Sequence, residues 1–278
     1  MNKIVQRKQL GPNVVLIEVE ALLIAKKQKP GQFVVLRVHQ DGERIPLTIT
    51  ESDLEKGTIT MIFQEAGKTT KQLGQLNVGD SLTDLVGPLG VPTDIRYFGT
   101  VVVIGGGAAT AVAYPEAREL KKTGNKVITI IGARTKDLVI LENQMKACSD
   151  ELYVTTDDGS KGHRGVVTDV LKQLIEKGVK IDLVVTIGPA IMMKVVAEVT
   201  RPYKIKTIAS LNPIMLDATG MCGVCRVSIG GETKFACIDG PEFDAHLVDF
   251  DLLIARQRMY LDKEKTALEK WEKECRIK

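Results

Sequence analysis

The sequence predicts a multidomain fold in which an antiparallel β domain, a doubly wound α/β domain and a small cysteine-bearing domain with a terminal helix follow one another. Three observations predict it. Residues 1–98 break into short alternating runs separated by turn signals, Thr100–Ile104 opens a series of apolar strands alternating with helical stretches, and three of the five cysteines fall between Pro213 and Gly240. At 278 residues the chain suffices for two domains and an appendage. A net charge of +3 spread without runs argues against a nucleic-acid partner. Met1–Leu10 is polar with no apolar signal segment after it, and the apolar Thr100–Ala113 is short and glycine-interrupted, so neither a leader nor a membrane span is expected. Clustered cysteines point to a reducing cytoplasm and a metal site rather than to disulfides.

In residues 1–98, strands are expected at Asn13–Val19, Phe33–Val38, Leu47–Thr50, Thr58–Gln64 and Ser81–Val86, a spacing that suits an antiparallel barrel or sandwich. Turns precede the second and fifth runs at Lys29-Pro30-Gly31-Gln32 and Asn77-Val78-Gly79-Asp80. Gly67-Lys68-Thr69-Thr70 opens a short helix whose free N–H groups, hydroxyls and lysine suit a phosphate, and equally suit a plain helix cap. In Arg44-Ile45-Pro46-Leu47-Thr48 the proline keeps the backbone extended, which leaves Leu47 and the Thr48 hydroxyl to meet a flat ligand, or else a turn facing solvent. Gly87-Pro88-Leu89-Gly90 closes the domain as a rigid turn, and the boundary falls between Pro92 and Gly99.

Residues 99–211 form the second expected domain. Thr100–Ile104 reads as a parallel strand buried on both faces. Gly105-Gly106-Gly107-Ala108-Ala109-Thr110 follows directly, then a helix to about Lys122. Small residues at a strand-to-helix turn let a pyrophosphate approach the helix N-terminus, although Thr110 stands where a G-x-G-x-x-G pattern has its third glycine. Lys126–Ile131 is the next strand, and Arg134 beyond it is placed for a ribose or its phosphate, or for solvent. A helix over Leu138–Lys146, a strand over Leu152–Thr155, a helix over Val167–Lys177, a strand over Asp182–Ile187 and a strand over Lys206–Leu211 complete the sheet. Met192 and Met193 begin the helix after Gly188-Pro189-Ala190 and are expected in the core. The loop from Asp157 and Asp158 to Gly165 is polar and glycine-rich, suited to closing over a nucleotide. His163 has no local acid–base partner; no side chain is expected to perform acid–base catalysis if a cofactor carries the redox chemistry.

Residues 212–250 carry Cys222, Cys225 and Cys237. The first two are spaced to reach one metal centre from a tight loop, with Gly220 and Gly223 bending the backbone around it. Val227, Ile229, Thr233 and Phe235 flank a Gly230-Gly231 turn, the pattern of a hairpin that returns Cys237 to the same centre. No cysteine precedes Cys222, but Asp217 lies five residues upstream and supplies an anionic oxygen. The resulting D-x4-C-x2-C-x11-C matches the rhythm of a plant-type [2Fe-2S] loop with one ligand exchanged, and tetrahedral zinc suits the same donors. Residues 251–278 read as a helical tail. Leu252, Ile254, Ala255, Met259, Leu261 and Leu268 form an apolar stripe suited to a partner, with Trp271 near the end.

In this order the domains resemble the ferredoxin-NADP reductase superfamily over nearly the whole chain, and more closely the electron-transfer subunit of class B dihydroorotate dehydrogenase. Asp217-Ala218-Thr219-Gly220-Met221-Cys222-Gly223-Val224-Cys225-Arg226 with Cys237-Ile238-Asp239-Gly240-Pro241-Glu242-Phe243 looks most like the small subunits of NADH-dependent reduced ferredoxin:NADP oxidoreductases, also described as sulfide dehydrogenase subunits. The resemblance implies a six-stranded β-barrel carrying FAD, an NAD(H)-binding middle domain, and a [2Fe-2S] cluster on one aspartate and three cysteines. It places Gly67, Lys68, Thr69 and Thr70 at the FAD pyrophosphate, Arg44, Pro46, Leu47 and Thr48 by the flavin, and Gly105, Gly106, Gly107, Ala108, Thr110, Arg134, Asp157, Asp158, Gly188 and Pro189 around the nicotinamide nucleotide. It also implies a heterodimer with a larger flavin and iron–sulfur subunit, coupled to ferredoxin and NADP(H) by electron bifurcation. The expected rivals are a dihydroorotate dehydrogenase subunit, whose upstream ligand is ordinarily cysteine, and a zinc-stabilised adaptor without redox activity.

Overall fold

The computed structural model describes residues 2–277. The N-terminal part holds β1 (Asn2–Gly11), β2 (Val14–Glu20), α1 (Leu22–Ala25), β3 (Phe33–Arg37), β4 (Arg44–Thr48), β5 (Glu51–Asp53), β6 (Thr58–Gln64), α2 (Lys68–Gly74), β7 (Ser81–Leu82) and β8 (Asp84–Leu89). They form two antiparallel sheets, ordered β5-β6-β2-β1-β7 and β4-β3-β8. One core lies between them, with Ile4, Ile17, Ile59 and Met61 from the larger sheet meeting Val34 and Leu36 from the smaller. Alternation divides β2 cleanly: Val15, Ile17 and Val19 enter that core, while Val14 and Leu16 join Ala111 and Ile140 of the next domain.

Two differences from the sequence pattern have physical causes. The strand over residues 2–11 escapes hydrophobic periodicity because, in a strand so rich in Lys, Arg and Gln, Ile4 alone is buried and pairing with β2 supplies the order. The expected strand over Ser81–Val86 divides at Thr83, where β7 pairs with β1 and β8 crosses to β3.

The central part contains β9 (Thr100–Gly106), α3 (Thr110–Lys122), β10 (Lys126–Ala133), α4 (Glu142–Ala147), β11 (Glu151–Thr156), β12 (His163–Arg164), α5 (Val167–Glu176), β13 (Leu183–Ile187), α6 (Ala190–Thr200) and β14 (Thr207–Ser210). The sheet runs β12-β11-β10-β9-β13-β14 in parallel. Val101 and Val103 of β9 pack towards α3, while Val102 and Ile104 pack towards α5 and α6, which is why this strand reads as continuously apolar. The helix expected over Leu138–Lys146 is shorter: Leu141 adopts φ 54° and α4 starts only after it. Ile128 is fully buried between sheet and helices. Ile128→Val, which deletes one methylene's worth of packing, is expected to lower the unfolding free energy by about 0.5–1.5 kcal/mol, seen as a lower denaturant midpoint at unchanged slope.

Beyond β14 the chain leaves the sheet, forms the hairpin β15 (Arg226–Ile229) and β16 (Glu232–Phe235), and returns as β17 (Glu242–Asp244). β17 pairs antiparallel with β14, so the C-terminal segment supplies the seventh strand of the central sheet. Gly230 and Gly231, at φ 60° and 86°, make the two-residue hairpin turn, a conformation that disfavours side chains at both positions. α7 (Phe250–Gln257) buries Phe250 and Leu253 against α6, whereas Leu252 of the expected stripe is exposed, as are Met259 and Leu261. α8 (Leu261–Ile277) lies against α2, where Lys71 Nζ meets Glu272 Oε1 at 2.5 Å. Among the described residues no helix is long and apolar enough to cross a membrane.

Candidate functional site

β9 stands between β10 and β13, so successive connections diverge to opposite sides of it and a crevice opens beyond the carboxyl ends of β9 and β13. A cavity of about 380 Å³ occupies this crevice. It brings together Gly106, Gly107, Ala108, Arg134, Asp157 and Pro189, with Val14 and Gln64 as the wall from the β domain. Close approach requires the glycine at 106, since a Cβ there would lie 2.7 Å from Met192 Sδ and 3.1 Å from Pro189 Cδ. Thr110 is not part of the lining: it is fully buried under Gly105, because the first turn of α3 must pack against the strand it follows. Asp158 Oδ1 accepts hydrogen bonds from Ser160 N at 2.9 Å and Ser160 Oγ at 2.6 Å, so its carboxylate shapes the loop while Asp157 faces the cavity. Met192 lines the cavity and Met193 alone is fully in the core.

A second cavity, about 210 Å³, lies where the three parts of the chain meet. Pro46 and Thr48 of β4, Phe33 of β3, Val112 of α3, Gly188, and Pro213 and Met215 from the segment before the cysteines all line it. Leu47 does not, and instead packs with Ile45 on the β core. Alternation along β4 is the reason: residues 46 and 48 face one way and 45 and 47 the other. Arg44 sits 3.7 Å from Asp84, which Arg37 holds at 2.7 Å. At the start of α2 the Thr70 hydroxyl accepts from Ala66 N and Gly67 N at 3.0 Å each, and Thr69 Oγ1 donates to Glu43 at 3.0 Å. Gly67, Lys68, Thr69 and Thr70 thus form a built helix start in which both hydroxyls already have partners. Phe33, Met215, Val14 and Gln64 carry no motif; the alternating faces of their strands are the signal that finds Phe33, Val14 and Gln64.

The cysteine loop extends from the second cavity. Cys225 and Cys237 are buried with their sulfurs 3.2 Å apart, in an apolar cluster that also contains Phe33 and Met215. Burial, the neighbouring Cys225 sulfur and then the Asp217 carboxylate push the Cys237 thiol up to about 12. Asp217 is held below the usual carboxylate range chiefly by the Thr219 N–H at 2.6 Å, with the Thr219 hydroxyl at 3.0 Å and the Cys222 N–H at 3.0 Å also contributing. Cys222 is exposed. Among the described residues no three acidic, cysteine or histidine side chains already converge as a metal site. The donor chemistry nevertheless fits a cationic centre: the crowded Cys225 sulfur and the pre-formed Asp217 carboxylate both raise the cost of ionising Cys237, and a bound cation would reverse that effect.

Residues 212–249 match the model of the iron–sulfur cluster binding domain of dihydroorotate dehydrogenase B. A Thermotoga maritima protein described as a homolog of the dihydroorotate dehydrogenase B (NAD(+)) electron transfer subunit is 44% identical over 271 residues, which cover 98% of this chain and 95% of that one. The Geobacillus thermodenitrificans electron transfer subunit of that name is 32% identical over 251 residues, covering 87% and 95% of the two chains. The chain belongs to this electron-transfer subunit family. Within the family it resembles the small subunit seen in the structure of NADH-dependent reduced ferredoxin-NADP oxidoreductase, reported for its insights into flavin-based electron bifurcation; the TM-score is 0.92 at 44% identity, with 98% of each chain covered. Like the rest of the electron-transfer subunit family, the chain is part of a redox enzyme.

Proposed function

We propose that this chain takes NAD(H) in the 380 Å³ cavity, holds FAD across the 210 Å³ cavity, and relays electrons through a [2Fe-2S] cluster to a larger flavin and iron–sulfur subunit. The complex so formed is a ferredoxin- and NADP(H)-coupled, electron-bifurcating oxidoreductase. The observation that carries this reading is the shared wall: Phe33 and Met215 line the second cavity and pack in the same apolar cluster as Cys225 and Cys237. When bound, the flavin accepts a hydride and releases single electrons, and the cluster passes them on one at a time.

In this reading the two N-terminal sheets act as one barrel-like support for FAD, with Pro46 and Thr48 facing the ring and Lys68 near its phosphates. Gly106 and Gly107 allow the nicotinamide nucleotide to approach, with Arg134 and Asp157 at its ribose end, while Gly188 lies on the flavin side. Asp217, Cys222, Cys225 and Cys237 would hold the cluster, Cys225 and Cys237 from the buried side and Cys222 from the exposed end. The exposed side chains of Leu216, Met221 and Ile238 surround that exposed end and suit a protein partner.

Visible absorption of the anaerobically purified protein tests the reading: flavin and cluster bands bleached by NADH are expected, and a colourless zinc protein without flavin would overturn it. A dihydroorotate dehydrogenase partnership is favoured by the matching domain over residues 212–249. Co-purification of a large subunit that supports ferredoxin-dependent NADP reduction, rather than dihydroorotate oxidation, separates the two. Asp217→Cys is expected to retain a cluster with a changed electron paramagnetic resonance spectrum; an unchanged spectrum removes Asp217 from the ligand set.

A further inference from the structure

Glu116 sits in the middle of α3 with no exposed surface, and among the described residues no N–H or hydroxyl donor reaches either carboxylate oxygen. Burying such a group beside apolar atoms is costly unless it is neutral or compensated. The charged group that bears on it is a second carboxylate, Glu242, at the start of β17. Glu242 accepts a hydrogen bond from Thr93 in the segment linking the β domain to the central sheet. Asp94, another carboxylate, also acts on Glu242, and among the described residues no salt bridge reaches Glu116 or Glu242. Glu116 has no exposed surface and Glu242 only a little, and two carboxylates so placed that act on one another do not both ionise readily, so the pair retains a proton.

Position gives this proton a use. Val112, Glu116 and Leu120 follow one another at intervals of four on a single face of α3. Val112 lines the 210 Å³ cavity, and so does Pro241, the residue before Glu242. Leu120 and Glu242 line a separate void of about 30 Å³, whose rim includes Thr93, Asp94 and Lys206. That space admits a water molecule. Asp94 is mostly exposed and pairs with Arg96 at 3.1 Å, and Lys206 Nζ lies over the Phe98 ring at 5.5 Å. Thr93, Asp94, Lys206 and Glu242 thus mark the polar side of a void whose other walls are apolar, and Glu116 lies one helical turn from the cavity that Val112 lines.

We infer that Glu116 and Glu242 form a buried proton-binding site that takes up a further proton when negative charge is added to the cavity beside Val112. The redox trigger rests on the reading of that cavity as the flavin site, whereas the proton site itself does not. In surroundings of low polarity an added negative charge raises the proton affinity of the remaining carboxylate, and solvent supplies the proton. No bond other than O–H forms. Both carboxyls are displaced upward from the ordinary range, Glu116 and Glu242 alike mainly by burial. The folded chain therefore holds more protons than the unfolded chain in the pH window above the ordinary carboxylate range. Stability from the pair is complete below that range and declines as pH rises through the raised folded values.

Infrared spectroscopy of the purified, cofactor-loaded chain tests the inference. A protonated-carboxyl band is expected at neutral pH in the oxidised protein, shifted by isotopic labelling of glutamate and absent from Glu116→Gln, whose amide donates to an ionised Glu242. Dithionite should intensify the band in the unmodified protein, with proton uptake from a weakly buffered solution exceeding that of Glu116→Gln. Absence of the band in the unmodified oxidised protein overturns the proton site, a measurement that does not depend on the variant folding. A band unchanged by reduction overturns the redox coupling. A protein that shows the band but lacks flavin absorption instead sinks the reading of the cavity, so the two failures are distinguishable.

Discussion

Cys237→Ser is expected to lose most of its iron and sulfide and to reduce cluster-dependent electron delivery by more than about 100-fold. Substitutions one shell further from a metal commonly cost about 10–100-fold, and this one removes a proposed ligand itself. Cys237 is 2% exposed and its sulfur stands 3.2 Å from that of Cys225, and a serine hydroxyl, smaller and on a shorter bond, reaches less far towards that centre and is a harder donor. Reduction of the flavin by NADH should persist, because the nucleotide cavity shares none of its lining residues with the cysteine loop. Cys148→Ser is the control: Cys148 is likewise buried, but its thiol donates to Met145 O at the end of α4. Iron and sulfide analysis, with NADH-driven flavin bleaching, distinguishes the outcomes. Full iron content in Cys237→Ser would remove Cys237 from the proposed ligand set.

Gly106→Val carries the second large effect. Its side chain enters space occupied by Met192 Sδ, 2.7 Å from a Cβ at that position, and by the Pro189 ring. Met192 can swing aside, but only into the cavity that it lines. The KM for NADH is expected to rise about ten-fold or more, equivalent to about 1.4 kcal/mol of lost binding, while flavin content stays unchanged. Steady-state kinetics across NADH concentrations checks this. An unaltered KM would move the nicotinamide nucleotide out of the 380 Å³ cavity.

The α/β domain was legible because burial on both faces writes continuous apolar strands, as in Thr100–Ile104, and because glycine punctuates their ends. The strand over residues 2–11 was not legible. Its order comes from pairing with β2 across the chain, which leaves no periodic signature when Ile4 is its one buried residue. The cluster loop showed its donors through spacing, yet spacing said nothing of the unequal burial that sets Cys225 and Cys237 apart from Cys222. Leu47 shows the converse limit: the motif around Pro46 marked the right segment, and only the direction of the strand face decided that residues 46 and 48 reach the cavity. Glu116 carries no motif, and the segment Cys237–Phe243 marked Glu242 for no role of its own; the return of β17 to the sheet is what places it.

That return has a topological consequence for the cysteine loop. Ser210 pairs with Glu242, and Leu211 N donates to Pro241 O at 2.9 Å, so the chain leaves the sheet edge and rejoins it at the same point. Everything between has its two ends stitched together at the sheet edge, and rests on β3 through Phe33 and on α6 through Val227. Melting of that segment on loss of metal would leave the closure at its base, but it would uncover Phe33 and Val35 and so be felt in the β domain. A graft of the segment onto another parallel sheet would therefore need both the base and an apolar cover in place of Phe33.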